Sequence, residues 1–377
     1  MQLPPLSLYV HLPWCERKCP YCDFNSHEIE TIPEREYVAA LLCDLDRDAH
    51  LAAGRSINTL FIGGGTPSLF SAEAIAELLQ GLRQRLSFAA DCEATLEANP
   101  GSAEARKFRD FRQAGITRLS LGIQSFDDDK LRALGRVHNR AQAMAAIDYA
   151  RSAGFDSFNL DLMHGLPGQG RQDALADLQT AIDFAPPHLS WYQLTIEPNT
   201  VFHKRPPLLP VEDELGAIQE SGEALLAQHG YQQYEVSAYS RAGAQCRHNL
   251  NYWRFGDYLA LGAGAHGKVT TAEGRVLRYA KTRTPRDYLA NALTTVEQRE
   301  LDAQDLLGEF MLNALRLNQG FSLDQFEART GLDRGALQPQ LGELAARGLL
   351  DTAAEAVRAS PLGRRFLDTV VAEFFPH

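Results

Sequence analysis

At 377 residues, 45% hydrophobic and 23% charged, the chain can bury one large core and carry a smaller second domain. A formal net charge of −11 and a pI near 5.5 exclude general attraction to nucleic acid or to an anionic membrane surface, because both are polyanions. The sequence holds no apolar run of about 18 residues, and its N-terminus (MQLPPLSLYVHLPW) lacks a basic n-region and a long apolar h-region, so the cytoplasm is the expected location. Up to about residue 200, short β-branched or apolar runs alternate with longer amphipathic stretches. Strands are predicted at 8–12, 59–63, 93–97, 118–123, 158–163 and 190–196, with helices at 34–51, 71–86 and 102–115. Ser71 and Ser102 stand as N-caps of the last two. This alternation implies parallel strands joined by crossover helices, and six units predict an α/β fold built on an incomplete (β/α)6-type barrel.

A Pro-rich joint (KRPPLLP) comes next, then a helix to 229 and extended elements at 234–240 (YEVSAYS) and 258–267 (YLALGAGAHG). Further on, helices are predicted at 305–317, 322–330 and 336–348, then a hairpin and a closing helix, the order of a mostly α winged helix. Residues 306–377 contain seven Arg, no Lys and nine Asp or Glu, which leaves no basic face for DNA and favours a structural or protein-contact role. The predicted division is therefore a barrel core at 1–205, a barrel extension at 206–300 and a winged-helix-like domain at 301–377, without internal repeats or low-complexity segments.

In such a barrel the functional groups gather at the C-terminal ends of the strands. Three cysteines follow the first strand, GGGTP (63–67) follows the second, and Glu97 closes the third. Gln124 follows the fourth, and Asp161 lies within the fifth, ahead of HGLPGQ (164–169). Three cysteines within eight positions are the wrong distribution for a disulfide framework and point to a metal or redox centre. Thiolates at Cys15, Cys19 and Cys22 can reach three corners of an iron–sulfur cubane and leave one iron open to a small molecule. Zinc is the competitor, with His27 as a fourth ligand, but the spacing lacks the usual paired C-x-x-C arrangement. Cys43, Cys92 and Cys246 are isolated and read as small buried hydrophobes. The glycines of GGGTP let backbone groups approach a ligand closely. Gly262-Ala-Gly264-Ala-His266-Gly267 satisfies G-x-G-x-x-G formally, yet the next segment, KVTTAEGRVLRY (268–279), reads as a hairpin and not as the helix a dinucleotide site requires. The glycines are therefore expected to form a strand-end loop near the cofactor mouth.

The CxxxCxxC loop together with Gly63-Gly64-Gly65-Thr66-Pro67 resembles the radical S-adenosylmethionine (SAM) superfamily. That resemblance implies a [4Fe–4S] cluster on Cys15, Cys19 and Cys22 with SAM on the open iron. The order Tyr9, the cysteines, GGGTP, LEANP, GIQSF, LGRVH and NLDLMHGLPGQ is similar to the coproporphyrinogen III oxidase branch over essentially the whole chain. In that branch SAM is contacted by residues matching Tyr9, Gly64, Gly65, Thr66, Glu97, Gln124, Arg136 and Asp161 here, and Tyr21 joins the expected cofactor-binding set. The plain structural alternatives are an Arg136 paired with a helix acid and an Asp161 capping a turn.

Two departures from the catalytic oxidases stand out: Phe24 occupies the position of a further cysteine, and little chain precedes Tyr9. Both are similar to the HemW-type heme chaperones, as is His248-Asn249-Leu250-Asn251-Tyr252-Trp253, which matches their HNxxYW motif. The resemblance implies heme as a third cofactor, with His248 as iron ligand, Tyr252 and Trp253 offering flat apolar surface, and Cys246 as a second thiolate candidate. It also implies hemoprotein acceptors in respiration or heme storage, membrane association through a partner, and a homodimer. The competing expectations are an oxygen-independent coproporphyrinogen III oxidase and, more distantly, a transcription regulator built on the winged-helix-like end.

Overall fold

The computed structural model describes residues 3–101, 107–290, 295–352 and 356–375. Six strands lie side by side in chain order and all parallel: β1 (Leu6–Leu12), β2 (Ile57–Gly64), β3 (Phe88–Ala98), β4 (Arg118–Gln124), β5 (Ser157–His164) and β6 (His188–Gln193). Their pleat sorts the side chains. Leu6, Leu8, Val10 and Leu12 of β1 share one apolar core with Leu60, Ile62, Leu96, Leu119, Leu121, Leu160 and Leu162 of the following strands. Between them, on the barrel's inner face, stands a polar ladder: Ser7 bonds Thr59 at 2.7 Å, Ser120 donates to Asp161 at 3.1 Å, and Asn159 donates to both Ser120 and Asp161. The inside of this barrel is built to meet polar ligands and the outside to meet helices.

Helices at Glu34–Asp48, Ala72–Arg85, Phe108–Ala114, Arg140–Ser152 and Arg171–Asp183 make the crossovers. Ser71 accepts from the Ala74 N–H as the predicted cap of the second, an interaction worth about 1 kcal/mol. The predicted Ser102 cap lies outside the described residues.

The chain after residue 205 returns to the same sheet. After helix Glu212–Gln228, β7 (Gln232–Gln233) and β8 (Ala238–Ser240) extend the sheet antiparallel beyond β6. The short helix Arg247–Trp253 comes next, and β9 (Asp257–Leu261) then lies parallel against β1, from Leu6↔Asp257 to Val10↔Leu261. Antiparallel strands β10 (His266–Thr270), β11 (Val276–Lys281) and β12 (Thr295–Glu300) complete a twelve-stranded sheet in the order β12-β11-β10-β9-β1-β2-β3-β4-β5-β6-β8-β7. The sheet is not closed, so the barrel is incomplete, and a seventh parallel strand, Asp257–Leu261 from the barrel extension, widens it.

The C-terminal part has its own apolar core around Phe310, Phe326, Leu344 and Val370, and a small sheet joins Phe321–Ser322, Ala356–Ala359 and Leu350–Asp351 between helices. This is the predicted winged-helix order, with one difference. The helix predicted over 336–348 is split into a turn at Arg334–Leu337 and a helix at Gln340–Ala346, because Pro339 has no N–H to continue the first turn. Arg316, Arg334, Arg347, Arg358 and Arg365 each pair with an acid, in keeping with the absence of a basic face. Cys246 is buried and Cys92 half-buried, but Cys43 is exposed, contrary to expectation: it stands on the outer face of helix Glu34–Asp48. Among the described residues no helix is long and apolar enough to cross a membrane.

Candidate functional site at the barrel mouth

The loop that leaves β1 is shaped by its own hydrogen bonds. Trp14–Cys15 pairs with His27–Glu28, the Lys18 ammonium donates to the carbonyls of Phe24 and Ser26, and the Glu28 carboxylate accepts from the Lys18 N–H at 2.7 Å. It presents Cys15, Cys19 and Cys22, all free thiols, to one cavity of about 800 Å³. Burial pushes the Cys15 thiol up to about 11 and raises Cys22 as well. Thiols held this way stay protonated in the free protein and release their protons to solvent when a metal binds the sulfur. Among the described residues no three His, Cys, Asp or Glu side chains gather on one point as a single metal ion requires, and the His27 imidazole is engaged with the Asn25 side chain at 3.2 Å. A cubane does not need that convergence, since each thiolate takes a different iron.

The glycine turn closes against this loop. The Gly65 N–H donates to the Leu12 carbonyl at 2.9 Å and the Thr66 N–H to the Trp14 carbonyl at 2.7 Å. A Cβ on Gly65 would sit 2.3 Å from that Trp14 oxygen, and Gly64 adopts φ 125°. The close approach for which glycine is required is thus first to the cysteine loop's own backbone.

Tyr21, Gly64, Gly65, Thr66, Glu97, Gln124, Arg136 and Asp161 line the same cavity as the three cysteines. Among the described residues Arg136 pairs with no helix acid. Its guanidinium donates to Asn99 Oδ1 at 2.6 Å and the Gly122 carbonyl at 2.9 Å, lies 3.7 Å from Cys19 Sγ, and keeps Nε buried without a partner. A cation so placed can bind a carboxylate beside the cysteines. Opposite it, burial and then the Asp161 charge push the Glu97 carboxyl up to about 8, despite the Gly64 N–H that it accepts at 3.1 Å. Asp161 is also raised by burial, and it belongs to the polar ladder instead of capping a turn. Gln124 ends β4 with φ 67°, a left-handed conformation rare outside glycine, and accepts from the Tyr192 hydroxyl at 2.9 Å. Such a set, one cation and two carboxyls around an open pocket, suits a zwitterion.

Two predicted site residues lie elsewhere. Tyr9 bonds the His11 imidazole at 2.8 Å and lines a second cavity of about 760 Å³ that shares Asp23, Phe24, Gly64 and Glu97 with the first. His248 lines neither cavity. Only 2% exposed, it accepts or donates at Thr59 Oγ1 through Nδ1 at 2.9 Å, its ring lies between Phe61 and Tyr252, and its Nε2 is buried without a partner. Burial lowers its pKa to about 3, so the imidazole is neutral. The Cys246 thiol, pushed up to about 11, faces the Glu93 carboxylate. Sequence reasoning missed that carboxylate, which accepts the N–H groups of Arg247 and His248 and so fixes the motif helix inside the barrel. It also missed Asn99, which joins Arg136 to Thr66. Its signal was its place in LEANP, two residues after Glu97.

An open parallel α/β barrel with three thiols on the loop after its first strand and a glycine turn after its second is the architecture of a radical SAM protein. Residues 9–181 match the model of the radical SAM superfamily, and residues 301–366 match the HemN C-terminal domain. The chain belongs to the HemW family: it is 52% identical to the heme chaperone HemW of Escherichia coli over 99% of both chains. It is 50% identical to that of Haemophilus influenzae over 99% of this chain and 98% of that one, and 34% identical to that of Bacillus subtilis over 98% of each. Coproporphyrinogen III oxidase (HemN) from Escherichia coli, a radical SAM enzyme, superposes with a TM-score of 0.84 over 99% of this chain and 90% of that chain. At 24% identity that likeness speaks to the fold. Membership of the radical SAM superfamily implies a [4Fe–4S] cluster and SAM.

Proposed function

We propose that this protein is a cytoplasmic heme chaperone that binds heme and hands it to acceptor hemoproteins. The observation that carries the reading is full-length identity of 52% with a protein named heme chaperone HemW. Phe24 in place of a further cysteine, 62% exposed at the cavity rim, supports it against the oxidase alternative. In this reading Cys15, Cys19 and Cys22 hold the cluster, Arg136 receives the carboxylate of SAM, and Glu97 and Asp161 take its amino group and ribose hydroxyls beside Gln124, Gly64, Gly65 and Thr66. When bound, the pair supplies reductive cleavage of a sulfonium. Acceptors in respiration or heme storage, membrane contact through a partner and a homodimer belong to the same proposal.

Two measurements test this reading. A cationic ligand favours the ionised form of Glu97, whose carboxyl faces Asp161, Tyr9 and Tyr192. Because its pKa in the free protein is raised to about 8, binding SAM releases a proton below that pH. SAM affinity of cluster-loaded protein is therefore expected to rise by up to about tenfold per pH unit from 6 towards 8 and then level off. In Glu97→Gln the slope disappears, and an unchanged slope in that variant removes Glu97 from the site. For the function itself, cluster-loaded protein is titrated anaerobically with heme, then separately supplied with coproporphyrinogen III, SAM and a reductant. Saturable heme binding without protoporphyrinogen IX is expected; product formation with an intact cluster makes the protein an oxidase.

A further inference from the structure

Resting on the heme reading, we propose that heme sits in the second cavity, with the exposed imidazole of His266 as the reachable iron ligand and Arg283 as the partner of a propionate. His248 then belongs to the cavity's back wall.

The cavity has the volume of a small-molecule site, about 760 Å³, and its walls are aromatic. Tyr252 and Tyr258 lie with ring centroids 4.2 Å apart, tilted 34°, while Tyr9 and the exposed Phe24 complete flat apolar surface of the kind a porphyrin face needs. The only motif residue lining it is Tyr252. His248 stands one ring behind, with centroids 5.0 Å apart, held by Thr59. Helical spacing of four puts the two on one face of helix Arg247–Trp253, so the motif can shape the pocket without His248 touching iron.

His266 begins β10 at the rim, is exposed, and makes no side-chain hydrogen bond with the described residues. The loop before it is fixed from the cysteine side: Asn25 Nδ2 donates to the carbonyls of Ala263 and Arg283 at 2.9 Å each. Arg283 is exposed and has no ion pair among the described residues, whereas the Lys281 ammonium is turned away to Asp44 and Asp48. Glu97 and Asp23 line the wall shared with the first cavity. That wall would set the heme beside the cluster loop, on the opposite side of Phe24 from the SAM pocket.

The test compares anaerobic hemin titrations of cluster-loaded wild type, His266→Ala, Arg283→Glu and His248→Ala, read by absorption and EPR. Cluster content of each variant reports that it is folded. His266→Ala is expected to weaken binding by about tenfold or more and to change the iron's axial-ligand signature, which added imidazole restores. Arg283→Glu weakens binding by about tenfold with the signature kept. His248→Ala keeps the signature. Wild-type binding with His266→Ala unchanged, or loss of the ligand signature in His248→Ala, overturns this site and leaves the heme reading standing. No saturable binding in wild type overturns both.

Discussion

Replacing any one of Cys15, Cys19 or Cys22 by alanine is expected to remove the brown chromophore and to take iron from about four per chain to well below one. In the proposed cluster each thiolate would hold a separate corner, so no surviving ligand could substitute for a lost one. Cys43 on an exposed helix face, and Cys92 and Cys246 away from the mouth, are not available as replacements. Cys43→Ala therefore keeps full iron and serves as the control. The loop carrying the cluster is already tied by Lys18 to Phe24 and Ser26, by Glu28 to the Lys18 N–H, and by Asn25 across to Ala263. The cluster-free variants should remain folded, with unchanged far-ultraviolet circular dichroism. Iron unchanged in all three variants contradicts the cluster assignment.

Lys281→Met should strongly destabilise the fold. The Lys281 ammonium is buried with Asp44 Oδ1 at 2.6 Å and Asp48 Oδ2 at 2.5 Å, while Tyr288 donates to Asp44 at 2.8 Å. These contacts bind helix Glu34–Asp48 to β11 and to helix Pro285–Ala290, joining the first crossover to the barrel extension across 237 positions of sequence. Without the ammonium two neighbouring carboxylates stay buried with only the Arg47 guanidinium, 3.2 Å from Asp44 Oδ1, as a cation, at a cost of about 3–5 kcal/mol. Burial already raises the Asp44 pKa. Losing the cation raises it further, so its neutral form predominates in the folded variant up to a higher pH. The folded variant then binds one proton more than the unfolded chain, so its stability is kept at low pH and is lost as pH rises through the folded pKa. Urea midpoints should show a larger deficit at pH 8 than at pH 5.5, and Asp44→Asn added to Lys281→Met should recover part of it. A deficit below about 1 kcal/mol at pH 8 would mean water reaches the network.

The first six strands were legible because each repeats apolar residues at period two, bounded by helix-like stretches, and parallel neighbours in chain order need no further information. The cysteine loop, the glycine turn, Glu97 and Gln124 were legible for the same reason, since they close those strands, and Asp161 because it lies within the fifth. Pairing at long range could not be read. YLALG looked extended, but nothing local says that Asp257–Leu261 lies against Leu6–Val10 and turns a hairpin region into the second cavity's wall. His248 shows the same limit. No helix was read at its motif; in helix Arg247–Trp253 a spacing of four puts it with Tyr252 on one face, and which face turns into the barrel depends on Glu93, 155 positions away, which fixes the helix N-terminus. The exposure of Cys43 likewise depends on which side of its helix the sheet covers.

The central claim is that this chain passes heme on, and protected transfer tests it most directly. Protein loaded with one heme is mixed with membranes from heme-depleted bacterial cells in the presence of excess albumin as a heme scavenger, and reduced-minus-oxidised spectra are followed. Cytochrome bands that grow with the loaded protein, and stay absent when the same heme is added with albumin alone, are the expected result. Bands no larger than that albumin control would contradict a chaperone.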